Sequence, residues 1–285
     1  MLIIMAEHAG FCFGVKRAVD AIERSLQDNA EVWTIGLPIH NPQEVARLEA
    51  MGLRVAESEA DIPDGTRVLI RAHGEPVEVI ERLRAKGVSV EDMTCPFVKK
   101  AQDVAAELSR QKYHVVLLGD KNHPEIRGII GHTAIPSSVE VIANEEEAEK
   151  LSRFGKIALI SQTTQREERL AKVAAILVRK CSELRVCNTI CKATAERQEA
   201  ARELVRNNDV DGVVLIGGKQ SANTAKLRDI IAAEGVSVLW IEDEKELAGN
   251  ASWFTGKNTI GIAAGASTPG WLIESVKAKI AEAAS

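Results

Sequence analysis

Three times along the chain an apolar run of strand character ends in a glycine, and a polar residue follows four positions on: "VWTIGLPIH", "HVVLLGDKNH" and "VVLIGGKQS". The glycines are Gly36, Gly119 and Gly217, the polar residues His40, His123 and Ser221, and a helix-like stretch follows each. A second short apolar run then leads into an acidic segment: "LRVAESEAD", "VEVIANEEEAEKL" and "VLWIEDEKEL". A third ends in a polar turn: "RVLIRAHGEP", "KIALISQTTQ" and "IGIAAGASTPG". Counting three past the last apolar residues Ile70, Ile160 and Ala264 reaches His73, Thr163 and Ser267. An amphipathic helix follows each turn. The cysteines keep the same phase. "CFGVKRAVDAI" and "CPFVKKAQDVAAEL" share C-x-x-V-K-[KR]-A, and "CKATAERQEAAREL" is a looser relative. In the first, Val15, Val19, Ile22 and Leu26 fall at helical spacing on one face. Cys12, Cys95 and Cys191 are therefore each predicted at a strand end, just before a helix, with separations of 83 and 96 residues; His40, His123 and Ser221 are separated by 83 and 98.

A period of this length marks a repeat architecture. The third unit has its closing helix, "WLIESVKAKIAEAAS", and then no strand and no cysteine. Met1 to Glu7, which leads straight into Cys12, is the strand that would complete it, so the two chain ends belong to one unit. Alternating strands and helices imply small, mostly parallel sheets with crossover helices. The expected fold is three similar α/β lobes, at 14–95, 96–188 and 189–285 plus 1–13, around a pseudo-threefold axis. Ligands of open α/β sheets bind beyond the carboxyl ends of the strands, where every residue singled out above lies.

Composition narrows the class. The chain has 285 residues, 45% hydrophobic and 27% charged, with a formal charge of -5. That balance offers no basic footprint for nucleic acid. Runs such as "VVLLG" are too short to span a bilayer, and the N-terminus has no basic n-region or small-residue cleavage site. A soluble cytoplasmic protein is expected. Its five cysteines are an odd, scattered set with no CxxC, better suited to metal or redox chemistry than to a disulfide framework.

A thiolate at a helix N-terminus is favoured by the helix dipole. Three of them meeting near an axis would suit a metal centre with one position open. Zinc with three cysteines and a water fits; a [4Fe-4S] cluster held at three corners, its remaining iron facing a substrate, fits better. The surrounding donors, His40, His73, His123, Ser221, Asn223 and Ser267, suit a phosphate or diphosphate. Glu125, in "NHPEIRG", is the one carboxylate among them. An acid beside a polyanion should have a raised pKa and act as a proton donor, with Thr163 and Thr164 in "SQTTQ" able to relay a proton or place a hydroxyl.

The motifs "GFCFGVKRAV", "IHNPQEV", "RAHGEP", "DMTCPFVKKA", "NHPE", "SQTT", "TICKATAERQ", "KQSANT" and "GASTP" together resemble the 4-hydroxy-3-methylbut-2-enyl diphosphate reductase (IspH or LytB) family over essentially the whole chain. The resemblance implies a three-lobed iron–sulfur oxidoreductase with a central [4Fe-4S] cluster, one per chain. It would catalyse the last step of the methylerythritol phosphate route to isoprenoids: two electrons and protons remove the C4 hydroxyl of an allylic diphosphate, giving isopentenyl and dimethylallyl diphosphates and water. It further implies Cys12, Cys95 and Cys191 as cluster ligands with one iron open; His40, His73, His123, Ser221, Asn223 and Ser267 on the diphosphate; Glu125 as proton donor; and Thr163 on the substrate hydroxyl. The same resemblance would add Thr164 and Thr194 to the site, with no role assigned to either. A reduced flavodoxin or ferredoxin would supply the electrons, with neither nucleic acid nor membrane as partner. The chain departs from the family pattern at Asn188, often Asp, at Cys187, an extra cysteine, at Ala222, at His8-Ala9 and at Phe13. The repeat phase favours Cys191 over Cys187 as ligand.

The same residues have plainer readings. Cys181 and Cys187 read as small buried hydrophobes, His8, His114 and His132 as turn residues, "EEEAEK" and "EDEKE" as solvated helix faces, and Trp240, Trp253 and Trp271 as packing of the third lobe. A three-lobed, three-cysteine iron–sulfur enzyme of the quinolinate synthase type, doing dehydration and condensation without net reduction, is the competing enzyme. A non-enzymatic iron–sulfur sensor or regulator with a DNA-binding or signalling module is the second class, and a zinc hydrolase a third alternative.

Overall fold

The computed structural model describes residues 1–28 and 31–283. The last two residues of the expected third lobe and of its closing helix lie outside them. Among the described residues, twelve strands form three parallel four-stranded sheets. The first holds β2 (Val32–Ile35), β3 (Leu53–Ala56), β4 (Arg67–Ile70) and β5 (Ser89–Asp92), with helices α2 (Pro42–Ala50) and α3 (Val77–Ala85) between them. The second holds β6 (His114–Leu118), β7 (Val139–Ile142), β8 (Phe154–Ser161) and β9 (Cys181–Val186), with α5 (Pro124–Ile130), α6 (Glu145–Lys150) and α7 (Glu167–Leu177). The third holds β10 (Gly212–Ile216), β11 (Ser237–Ile241), β12 (Thr259–Ala264) and β1 (Leu2–Met5), with α9 (Ala222–Ala233) and α10 (Gly270–Ala283). Three helices of equal length, α1 (Phe13–Gln27), α4 (Pro96–Arg110) and α8 (Lys192–Arg206), each follow the last strand of a sheet.

The strand orders are β3-β2-β4-β5, β7-β6-β8-β9 and β11-β10-β12-β1, one arrangement used three times. Strand β1 occupies the edge place beside β12, pairing Leu2 with Thr259 through Met5 with Ile262. The direction of strand addition reverses between β2 and β4, between β6 and β8 and between β10 and β12, where an open α/β sheet leaves a crevice at the carboxyl ends.

Strands buried on both faces need continuous apolar runs, and "HVVLL" and "GVVLI" supply them. In the second sheet Val115, Leu117, Ala158 and Ile160 meet Ala101, Ala105 and Leu108 of α4 on one face. Val116, Leu118, Ile157 and Leu159 meet Leu170, Val173 and Leu177 of α7 on the other. The third sheet repeats this, with Val213 and Leu215 against α8 and α9 and Val214 and Ile216 against α10. Each valine, leucine or isoleucine among them contributes about 1.5–3 kcal/mol on leaving water. The helical face of α1 is as the spacing requires, Val19, Ile22 and Leu26 being buried.

The chain divides into two compact units, one of Met1–Val19, Leu37–Met51 and Lys192–Ser285, the other of Asp20–Gly36 and Gly52–Cys191. The first contains the third sheet together with α2; the second contains the first and second sheets. No helix among the described residues is long and apolar enough to cross a membrane.

Candidate active site

Each of the three phased cysteines immediately precedes the first residue of one of the 15-residue helices. Their backbone amides have equivalent partners as well. Cys95 N–H donates to the Ala72 carbonyl at 3.0 Å, Cys191 N–H to Thr163 at 2.9 Å and Cys12 N–H to Ala266 at 3.1 Å. Each acceptor lies in a turn closed by an i to i+3 bond, Gly74 to Arg71, Gln165 to Gln162 and Thr268 to Gly265. The threefold repeat is therefore kept down to single hydrogen bonds.

These bonds correct one register. Thr163 is the counterpart of Ala72 and Ala266, and Thr164 that of His73 and Ser267. Counting from the last apolar residue misplaces the middle repeat by one position, because Ser161 prolongs β8 beyond Ile160. Buried Ser161 is held there by Thr189, whose hydroxyl accepts from Ser161 N–H at 2.9 Å and donates to its carbonyl at 2.5 Å.

The loops before the cysteines are also related. Asp92, three before Cys95, accepts from Thr94 N–H at 2.9 Å; Asn188, three before Cys191, accepts from Ile190 N–H at 3.0 Å. The corresponding position before Cys12 is Ala9. There the loop is shaped by His8 and Gly10 at φ 58 and 102, and by buried Arg197, whose Nη2 donates to the Gly10 carbonyl at 2.7 Å.

Within the second unit, Glu125 is 2% exposed at the start of α5. Thr163 donates to both its oxygens, the amide to Oε1 at 2.6 Å and the hydroxyl to Oε2 at 2.9 Å. His123 is the N-cap of α5, accepting from Glu125 N–H through Nδ1 at 3.2 Å, and its ring meets His73 edge to face at 5.3 Å. The turn carrying His73 is clamped by Arg71, whose Nε and Nη2 donate to Glu75 Oε1 at 3.1 Å. Burial holds the Glu75 carboxyl above its ordinary range against the pull of Arg71, and lowers Arg71 against the pull of Glu75. Gly36 closes over this pair at φ +62; a Cβ there would lie 2.6 Å from Arg71 Nη1.

Within the first unit, Ser221 is the N-cap of α9, its hydroxyl accepting from Thr224 N–H at 3.3 Å. Asn223, the second residue of the helix, is 6% exposed, and neither its side-chain oxygen nor its nitrogen has a hydrogen-bond partner. A buried amide in that state costs on the order of 1–3 kcal/mol unless a ligand satisfies it. Ser267 is in the turn before α10. His40 departs from its counterparts: Asn41 is the cap of α2, accepting from Glu44 N–H at 2.9 Å, so His40 stands one residue outside the helix.

The structure places the remaining residues that the sequence singles out as follows. Cys181 opens β9 and its Sγ donates to Leu177 O at 3.3 Å, while Cys187 packs on the core beside α4. Among the described residues no cysteine forms a disulfide. His132 Nδ1 is 2.8 Å from Gly128 O, and His114 stacks on Phe154. Buried Thr194 lies in the first turn of α8. Trp271 is 47% exposed rather than packed inside, and its indole donates to Glu44 Oε2 at 2.9 Å. Arg71, Glu75 and Arg197 escaped the sequence reading although "RAHGEP" and "TICKATAERQ" contain them. Charged residues inside a motif signal nothing until their burial is seen.

Comparison with known proteins gives the family and the fold. A model of the LytB protein family matches residues 3–281. The 4-hydroxy-3-methylbut-2-enyl diphosphate reductase of Aquifex aeolicus is 43% identical over 282 residues, 98% of this chain and 96% of that protein. That of Helicobacter pylori is 42% identical over 281 residues, 98% of this chain and 99% of that protein. A solved structure of the reductase, described as the terminal enzyme of the non-mevalonate pathway, aligns with TM-score 0.71 at 43% identity, covering 99% of this chain and all of that one. The Plasmodium falciparum reductase shares the fold, with TM-score 0.89 at 24% identity, covering 99% of this chain and 87% of that one. The chain belongs to the LytB family, whose matched relatives are 4-hydroxy-3-methylbut-2-enyl diphosphate reductases.

Proposed function

We propose that this chain reductively removes the C4 hydroxyl of (E)-4-hydroxy-3-methylbut-2-enyl diphosphate, giving isopentenyl and dimethylallyl diphosphates and one water for two electrons and two protons. The observation that carries the reading is the shared setting of Cys12, Cys95 and Cys191, each at a helix start with its amide on the same turn position. Buried structural cysteines have no need of a common backbone setting.

Three thiols in such settings suit a [4Fe-4S] cluster with one iron left without a protein ligand. Bound there, the cluster would supply electrons singly and a Lewis-acidic iron. The chain's own residues account for the rest. Asn223, with both amide atoms unsatisfied, and the helix starts at Ser221 and His123 offer donors to a diphosphate. His40, His73 and Ser267 complete that set, and register with His73 and Ser267 adds Thr164. Glu125, excluded from water, holds the proton that leaves with the hydroxyl oxygen, and Thr163 keeps both carboxyl oxygens in place and places the substrate hydroxyl. The lobes expected at 14–95, 96–188 and 189–285 with 1–13 are the units we assign to this chemistry. A reduced flavodoxin or ferredoxin in the cytoplasm is the donor we assign.

The test supplies the allylic diphosphate and reduced methyl viologen to anaerobic, iron-loaded protein. Viologen oxidation with release of the two isomeric diphosphates is expected; a brown protein that oxidises no viologen would overturn the reading.

A further inference from the structure

Helix α2 follows His40, and a buried carboxylate holds it to a helix of the third sheet. Glu44 is 1% exposed at the third position of α2. An acid there can return to the cap backbone as half of a capping box. Instead Arg47 donates to both its oxygens, Nε to Oε2 at 3.0 Å and Nη2 to Oε1 at 2.5 Å, and Trp271 Nε1 donates to Oε2 at 2.9 Å. Trp271 is the second residue of α10, four residues after Ser267, and Glu44 stands four residues after His40. The bond therefore joins the starts of two helices, each just behind a proposed diphosphate ligand. Gln43 adds a weaker tie to Asp243 at 3.4 Å. Gly218 leaves the space that the His40 carbonyl fills, since a Cβ there would collide with it. The indole stays half in water, so the hydrogen bond, and not burial of the ring, is what this tryptophan adds.

We propose that Glu44 and Trp271 are positioning residues that set His40 relative to Ser267, and so determine diphosphate affinity without taking part in the reduction. This rests on the diphosphate reading above. A charge-assisted bond to a buried carboxylate is shorter and stronger than a neutral one, and a ligand held from two helices binds tightly only if their spacing is fixed beforehand.

The experiment measures binding of inorganic pyrophosphate to the iron-loaded full chain by calorimetry, with steady-state kinetics beside it. Trp271→Phe and Glu44→Ala should each weaken pyrophosphate about tenfold and raise KM similarly, with kcat within about twofold and iron content unchanged. Glu44→Gln, which keeps an oxygen for the indole, should bind within about threefold of wild type. In a His40→Ala background Trp271→Phe should change affinity no further. Unchanged pyrophosphate binding in Trp271→Phe, a kcat that falls with unchanged KM, or an equal loss in the His40→Ala background would each overturn the proposal. A wild-type protein that leaves pyrophosphate unbound overturns the diphosphate reading and this inference with it, which separates the two failures.

Discussion

The turns at Arg71–Gly74 and Gln162–Gln165 have the same closing bond, and the same position in each accepts an amide from the following cysteine. Their side chains differ where it matters. The accepting position is Ala72 in one and Thr163 in the other, and only the second faces an acid. Two residues past His123 the chain carries Glu125; two past His40 and Ser221 it carries Pro42 and Asn223. A threefold scaffold thus sets three cysteines in one backbone setting, which the proposed cluster would use, and breaks its own symmetry in one repeat, where the proposed proton donor Glu125 stands. Repetition builds the frame, and one acid with one hydroxyl side chain makes it directional.

The harshest way to break that comparison is to remove a member of the repeated set. Cys191→Ser should lose most of its iron and all viologen-linked turnover, while Cys187→Ser should keep both. Anaerobic iron and sulfide analysis decides between them, and equal loss in the two variants would contradict the assignment by phase. Next in size is the asymmetric acid. Glu125→Gln keeps an acceptor for Thr163 and removes the proton, so kcat should fall by about 10²–10⁴-fold with pyrophosphate affinity little changed.

Most of the frame is visible in the residues themselves. The glycine, polar residue and cysteine recur in phase because each is demanded by a backbone event, a strand end or a helix start, that leaves a local signature. The edge place of β1 was legible because the third unit lacks a strand and the chain's opening is an unassigned apolar run. What stayed hidden depends on burial and on neighbours distant in sequence. Arg71 and Glu75 look like surface charges until both are seen buried in one clamp. Trp271 reads as core, yet its ring is half in water because the indole is turned to Glu44. The register of Thr163 was missed because hydropathy marks the end of an apolar run, whereas a strand ends where its ladder does, and Ser161 is polar but paired with Leu118.

Thr163→Ala sharpens the comparison by giving the middle repeat its sisters' residue. The amide bond to Glu125 survives and the hydroxyl bond is lost. Losing one hydrogen bond to a buried carboxyl corresponds to about 1.5–3 kcal/mol at most. The expected fall in kcat is about 10–100-fold, smaller than for Glu125→Gln, with iron content unchanged. A loss as large as that of Glu125→Gln would mean that Thr163 itself carries the proton.

The gentlest test exchanges the two related loops. Asn188→Asp gives the loop before Cys191 the residue that Asp92 provides before Cys95. The acceptor for Ile190 N–H is kept, and becomes charged, which strengthens that bond. Against this, Asn188 Nδ2 donates to Glu167 Oε1 at 3.1 Å, and the substitution sets two carboxylates in that place. Both side chains are exposed, so the repulsion is of the order of 1 kcal/mol or less and is screened by salt. Thermal unfolding should show a small destabilisation at low ionic strength that shrinks as salt is raised and disappears in a Glu167→Gln background. Destabilisation that survives both treatments would show that the two loops are alike in hydrogen bonding only, with the asparagine required for a packing that aspartate cannot reproduce.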